Sequence, residues 1–329
     1  MVDVARLAGV SQQTVSRVVN GAENVAPEIR ERVELAITQL RYRRNPAAAA
    51  LASNRTMTLG VVSYALSVYG PSVALYGVSE AARRYGYSTR LVTLRSLDFS
   101  SIKESFDSIG PDTVDGVILL APLHEALRAL DGLDRELPVV TFEQGSPPSP
   151  TSISIDEVHG AKMAVRHLLE LGHETVWHVQ GPAGWMASDA RARGWAEQLS
   201  AAGRFAPTPI VAADWSPSEG YRIGSKLAAI SGVTAVFAAS DSFALGVVKA
   251  LDDAGMNVPA DISVVGFDDV KEAAFFRPAL TTVTLDFEAL GQIAVDRILA
   301  MITEQTAEDC PLLEPTLVVR DSTAPPRSR

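Results

Sequence analysis

The 329-residue chain is 47% apolar and 21% charged, the composition of an ordinary globular protein with room for about two domains and a small module. No apolar run approaches the roughly 18 residues of a membrane span, no charged-then-apolar leader opens the chain, and a single cysteine, Cys310, excludes an intrachain disulfide; the cytoplasm is the expected compartment and a membrane is not an expected partner. The net charge of −10 argues by itself against nucleic acid, but residues 1–56 hold eight arginines against five acids, so a basic head precedes an acidic body.

In chain order, Val2 to Ala8 reads as a short helix with Val4, Leu7 and Ala8 available for one face, and Gly9-Val10 as a turn. Ser11 suits the N-cap of a second helix from Gln12 to Asn20. At 100° per residue, Gln12, Gln13, Ser16 and Arg17 share one arc, while Val15 and Val18 fall opposite. Pro27 suits the first turn of a third helix, in which Ile29, Val33, Ala36, Ile37 and Leu40 repeat at helical spacing. Three short helices with a glycine turn between the first two form a helix-turn-helix unit. In such a unit the second helix presents its N-terminal residues to base edges in the major groove. Glutamine pairs with adenine and arginine with guanine, which makes Gln12, Gln13 and Arg17 candidate base readers. The pattern alone also suits a solvated polar face.

Asn45-Pro46 ends the third helix. Ala47 to Ala52 is helix-prone but too short to be stable alone. From about residue 57, apolar runs such as "TLGVVSY", "DGVILLAP" and "LPVVTFEQG" alternate with helical stretches such as "SVALYGVSEAARRYGY" and "FSSIKESFDSI". A second alternating series starts near Asp156. Continuous apolar strands between helices imply parallel sheets covered on both faces, and two series imply two Rossmann-like subdomains, with the loop "GSPPSPTS" (Gly145 to Ser152) expected to mark the passage between them.

The string "DVARLAGVSQQTVSRVVNG" resembles the N-terminal signature of the LacI/GalR family of bacterial transcriptional regulators. Further along, "HLLELGH", "GPAGW", "DARARGW", "AASDSFALG", "PADISVVGFDD" and "LTTVTLDFEALG" are similar to landmarks of the same family, so the resemblance covers nearly the whole chain. It implies an α/β protein with a small all-α helix-turn-helix head (1–44), a hinge helix or linker (45–56), and a two-lobed body like that of periplasmic binding proteins (57–329). The N-lobe would comprise about 57–155 plus 286–313, and the C-lobe about 156–285 plus 314–324. It adds Thr14, Ser16, Asn20, Asn24 and Ala48 as DNA contacts, and Leu51 as a wedge into the minor groove. In the body it assigns effector binding to Arg191 and Asp268, with Trp215 stacking on a sugar ring, Ser240 as a shorter polar contact, and Tyr64, Glu143 and Phe287 lining the cleft.

No nucleophile elbow, zinc-protease motif, Walker loop or dinucleotide fingerprint occurs in the body. His159, His167, His173 and His178 do not match a zinc spacing, so no enzyme activity, metal or cofactor is expected. The function implied is a homodimeric, sequence-specific repressor that binds operator DNA and is released by a small sugar effector, a galactoside or other oligosaccharide. Two alternatives stand beside it: a corepressor-type regulator activated by a purine-like ligand or a phosphoprotein, and a non-regulatory sugar-binding module. No leucine heptad follows Arg320, so a dimer is expected over a tetramer. Pro71 to Tyr85, with Val73, Leu75 and Val78, is a candidate part of the dimer surface, although burial within its own lobe would suit those residues equally. Replacing Gln12 and Gln13 together is expected to change the half-site selected from a random DNA library, and Arg17→Ala to cost about 1–3 kcal/mol of operator binding. An unchanged preferred site in the double variant would remove the glutamines from base reading.

Overall fold

The structure, a computed structural model, describes residues 1–19, 22, 24–42, 55–133, 136–143, 149–305 and 312–327. The chain divides into two compact units, Met1–Thr56 and Met57–Arg329. The hinge-helix expectation, with Ala48 and Leu51, and the contact expected of Asn20 lie outside the described residues.

The head consists of α1 (Val2–Ala8), α2 (Gln12–Val19) and α3 (Pro27–Gln39). Gly9 closes α1 in the left-handed conformation at φ 64°, which glycine adopts without a Cβ clash, and the Val10 N–H donates back to the Ala5 carbonyl at 3.0 Å. Ser11 caps α2, its hydroxyl accepting from the Thr14 N–H at 3.1 Å. Val4, Ala5, Ala8, Val15, Val18, Val33 and Ala36 form the core. Two expectations change here. Leu7 is half exposed and Ala5 takes its place, because the stripe facing α3 runs through Val4, Ala5 and Ala8. Leu40 is exposed because α3 ends one residue before it.

The first lobe of the body holds β1 (Thr58–Ser63), β2 (Ser88–Thr93), β3 (Gly116–Leu120), β4 (Val139–Phe142) and β5 (Ser152–Ile153). All four pairings are parallel, in the order β2-β1-β3-β4-β5. Successive side chains leave opposite faces of a strand, and both faces are covered. Ile118 and Leu120 pack under α4 (Tyr69–Arg84) and α11 (Phe287–Ile302), while Val117 and Leu119 pack under α5 (Phe99–Asp107) and α6 (His124–Asp131). This double burial is why the strands read as unbroken apolar runs.

The second lobe holds β6 (Trp177–Gln180), β7 (Ile210–Val211), β8 (Ala235–Ala238) and β9 (Ser263–Val265), parallel in the order β7-β6-β8-β9. α7 (Glu157–Glu170) and α8 (Met186–Ala201) cover one face, α9 (Pro217–Ala228) and α10 (Asp241–Asp253) the other. β10 (Thr282–Thr284) pairs antiparallel with β11 (Thr316–Val318). The lobes are joined after β5, between β10 and α11, and near Leu313, which bridges to Ile155. The passage between lobes therefore follows β5 and does not coincide with the Gly145 to Ser152 loop, because Ser152 still pairs with Thr141 in the first sheet.

Val78 is fully buried under its own sheet, so of the three apolar residues proposed for a dimer surface it is not a surface residue at all; Val73 and Leu75 are partly buried against the same core. Here α4 and α11 cross very closely. A Cβ on Gly77 would stand 2.5 Å from the Glu288 carbonyl oxygen, and one on Gly291 would stand 2.5 Å from the Val78 nitrogen. Both obstacles are backbone, so a side chain can be fitted only by separating the helices. Gly291→Val is expected to lower the stability of the body by about 1–3 kcal/mol, read as a lower urea midpoint, and an unchanged midpoint would show slack between the helices.

Candidate functional site

In each lobe the strand order reverses between two adjacent parallel strands, β1 and β3 in the first, β6 and β8 in the second. Open α/β sheets place ligands at the carboxyl ends of strands at such switch points. Tyr64 follows β1, Leu120 ends β3, Gly181 follows β6, and Ser240 follows β8. A cavity between the lobes is lined by Val68, Pro71, Pro122 and Phe287 from the first lobe and by Trp185, Arg191, Trp215 and Asp268 from the second. The structure thus brings together four of the predicted effector residues: Arg191, Asp268, Trp215 and Phe287.

The other three do not line this cavity. Tyr64 sits beside Trp185, ring centroids 6.4 Å apart. The Glu143 carboxylate accepts from the Thr141 hydroxyl at 3.0 Å. The Ser240 hydroxyl caps α10, accepting from the Phe243 N–H at 3.2 Å. Their predicted roles in effector contact therefore require a different arrangement of the cleft.

Arg191 is 3% exposed and every nitrogen of its guanidinium is engaged. Nε donates to one Glu157 oxygen at 2.6 Å and Nη2 to the other at 3.3 Å. Nη2 also donates to Asp268 Oδ1 at 3.0 Å, and Nη1 donates to the Ala239 carbonyl. The guanidinium plane is backed by Phe267, 3.9 Å from its ring centroid. Asp268 has φ 105°, a conformation costly for a residue with a Cβ and typical of functional positions. Its N–H is held by the Val283 carbonyl at 2.8 Å, which fixes the carboxylate at the cavity wall.

Burial pushes the Asp268 carboxyl up to about 7, against the pull of Arg191, whose charge Glu157 already shares. Burial also raises Asp241 to about 8, with Asp268 adding repulsion. The Asp241 oxygens accept from the Thr282 hydroxyl at 2.5 Å and the Val270 N–H at 2.8 Å. The Tyr69 hydroxyl is pushed up as well, first by burial and then by Asp268 and Asp241.

Trp215 is in part a core residue. It stacks on Phe243 (5.4 Å, 12°) and meets Trp185 edge-on (5.7 Å, 81°). A Cβ on Gly181 would stand 2.3 Å from its ring. Its Nε1–H is buried without an acceptor, a costly state for a donor. The cavity at this point is small, about 30 Å³, room for no more than a few waters. A roomier groove of about 450 Å³ lies away from the cleft, lined by α5 and by residues that follow α6, such as Gly132, Leu133 and Leu137, and holds none of the predicted site residues.

Glu157, Trp185 and Asp241 escaped sequence reasoning. Glu157 follows the helix cap Asp156 and reads as an ordinary first-turn acid. In the head, Gln12, Gln13, Arg17 and Asn24 are exposed, and Thr14 and Ser16 half-buried; the Thr14 hydroxyl also pairs with Ser11 at 2.9 Å. Among the described residues no helix is long and apolar enough to cross a membrane.

A helix-turn-helix head on a two-lobed α/β body with a polar interlobe cleft defines a ligand-responsive DNA-binding regulator. Residues 1–45 match the family described as bacterial regulatory proteins, lacI family, and residues 165–323 match the periplasmic binding protein-like domain. The chain is 32% identical to the lactose operon repressor of Escherichia coli (strain K12), over 99% of this chain and 91% of that protein. It is also 32% identical to the HTH-type transcriptional repressor PurR of Edwardsiella ictaluri (strain 93-146), over 98% and 96%. The crystal structure of the lac repressor dimer bound to operator and the anti-inducer ONPF superposes with a TM-score of 0.88 at 32% identity, covering 98% of each chain. The chain belongs to the LacI family: it is a transcriptional repressor with a DNA-binding head and a ligand-binding allosteric body, not an enzyme.

The raised carboxyls give a pH dependence. Asp241, ordinarily at 3.8, titrates at about 8 in the folded body, so the folded state holds a proton that the unfolded chain has lost. That stability is complete below about 4 and disappears as pH rises through about 8; Asp268 acts in the same direction. Urea midpoints are expected to fall from about pH 5 to about pH 8, and less steeply in Asp241→Asn. Parallel profiles for the two proteins would show that Asp241 stays ionised.

Proposed function

We propose that the chain acts in the cytoplasm as a homodimer, reads its operator with Gln12, Gln13 and Arg17, and is released when a small sugar, a galactoside or other oligosaccharide, occupies the interlobe cleft. The carrying observation is Asp268, a carboxylate held at the cavity wall by a strained backbone and by Arg191, beside the Trp215 indole. A carboxylate accepting from hydroxyls next to an aromatic face is the chemistry that sugar recognition needs. A dimer suits a palindromic site, and the similar lac repressor structure is a dimer on its operator. Ligand shifts the balance between two lobe arrangements and acts only through its differential affinity for them. The similarity to PurR favours a second reading, a purine-like corepressor that strengthens operator binding.

Operator affinity measured by fluorescence anisotropy with lactose, cellobiose and hypoxanthine separates the two. A sugar that weakens binding by about 5- to 150-fold supports induction, and a purine that tightens it replaces that reading. Asp268→Asn is expected to keep operator binding and lose the sugar response. It is a cleaner variant than Arg191→Ala, which leaves two buried carboxylates without their cation at a cost of about 3–5 kcal/mol. A normal sugar response in Asp268→Asn would move the effector site elsewhere.

A further inference from the structure

Arg191 is the one cation among the described residues lining the cavity, and the protein itself consumes it. Glu157, fully buried in the first turn of α7, takes Nε and Nη2 in a two-point pairing. Asp268 takes Nη2 a second time and the Ala239 carbonyl takes Nη1. Two carboxylates thus face one guanidinium. The opposite wall, Val68, Pro71, Pro122 and Phe287, brings no charge.

We propose that Glu157 is a specificity-determining residue that makes the cleft select neutral, hydroxyl-bearing effectors and reject anionic ones. The inference rests on the cleft being the effector site. A phosphate or carboxylate ligand needs a cation with unsatisfied donors. To reach Arg191 it must displace Glu157 or Asp268, which leaves a buried carboxylate without its partner. A hydroxyl group donates to a free Asp268 lone pair and displaces nothing. Glu157 does not touch the effector; it neutralises Arg191 and holds it so that Asp268 faces the cavity.

The test uses the full chain, with wild type, Glu157→Gln, Glu157→Asp and Asp268→Asn, titrated with galactose, galactose 6-phosphate and inorganic phosphate. Binding is followed by tryptophan fluorescence, since Trp185 and Trp215 line the cavity, and by thermal shift. Wild type should show no saturable response to either phosphate compound. Glu157→Gln should gain phosphate binding at least about tenfold tighter than wild type, and Glu157→Asp should behave as wild type. Wild type binding galactose 6-phosphate as tightly as galactose would overturn the proposal, as would a folded Glu157→Gln that ignores phosphate. If Glu157→Gln does not fold, Asp268→Asn, which also removes one of the two negative charges on Arg191, decides by the same gain or its absence. Failure of every neutral sugar on wild type would count against the sugar reading under Proposed function, while a phosphate response gained in Glu157→Gln would still uphold the role of Glu157.

Discussion

A guanidinium almost without solvent exposure, shared by Glu157 on α7 and Asp268 beyond β9, is the constraint around which the second lobe is arranged. A buried cation is tolerable only when its donors are satisfied, so α7, α8, the end of β8 and the Asp268 loop must meet at one point. The left-handed backbone at Asp268 and Asp269 follows from that demand. Asp269 turns away to Arg320 at 2.7 Å and Thr284 at 2.8 Å, which ties the strained loop to β10 and the C-terminal segment. The same cluster is the floor of the cleft, so the lobe's structural centre and its chemical site coincide.

The two lobes are held together at the cleft mouth by weaker ties. Leu123 and Trp185 form an antiparallel bridge, the Met186 N–H donates to the Pro122 carbonyl at 3.1 Å, and the His124 N–H donates to the Gly184 carbonyl at 3.2 Å. His124 and Asp189 meet at 2.9 Å across the same gap with both side chains about half exposed, so that pair contributes little. Trp215 packs against the apolar clusters of both lobes. Among the described residues the ties at the cleft mouth are thus a few hydrogen bonds and the aromatic contacts of Trp185 and Trp215.

The head follows a different logic. Among the described residues its buried core consists of small or β-branched side chains, and its shape is set by local devices: the Gly9 turn, the Ser11 cap and the Pro27 start. Two arginines reinforce it from α3, Arg32 donating to the Ala8 carbonyl and Arg30 to the Ala22 carbonyl at 2.6 Å. Those arginines hold the end of α1 and the connection between α2 and α3, so the basic character of the head is partly structural, whereas Arg17 on α2 is exposed beside Gln13.

What the sequence determined by itself is whatever arises within a few residues of the chain. The three head helices, their caps, and the parallel strands between helices were all legible, because helix periodicity, capping and double-sided strand burial leave their marks at separations of two to four residues. Arg191 and Asp268 were found by resemblance of the strings around them, not by any local rule. Only the tertiary structure decided what they touch. Glu157 lies 34 residues from Arg191 and Asp268 lies 77 residues from it, and no spacing rule reaches that far. The burial of Val78, the half-core role of Trp215 and the continuation of the first sheet through Ser152 were decided in the same way, since each depends on which surfaces meet after the two sheets have formed.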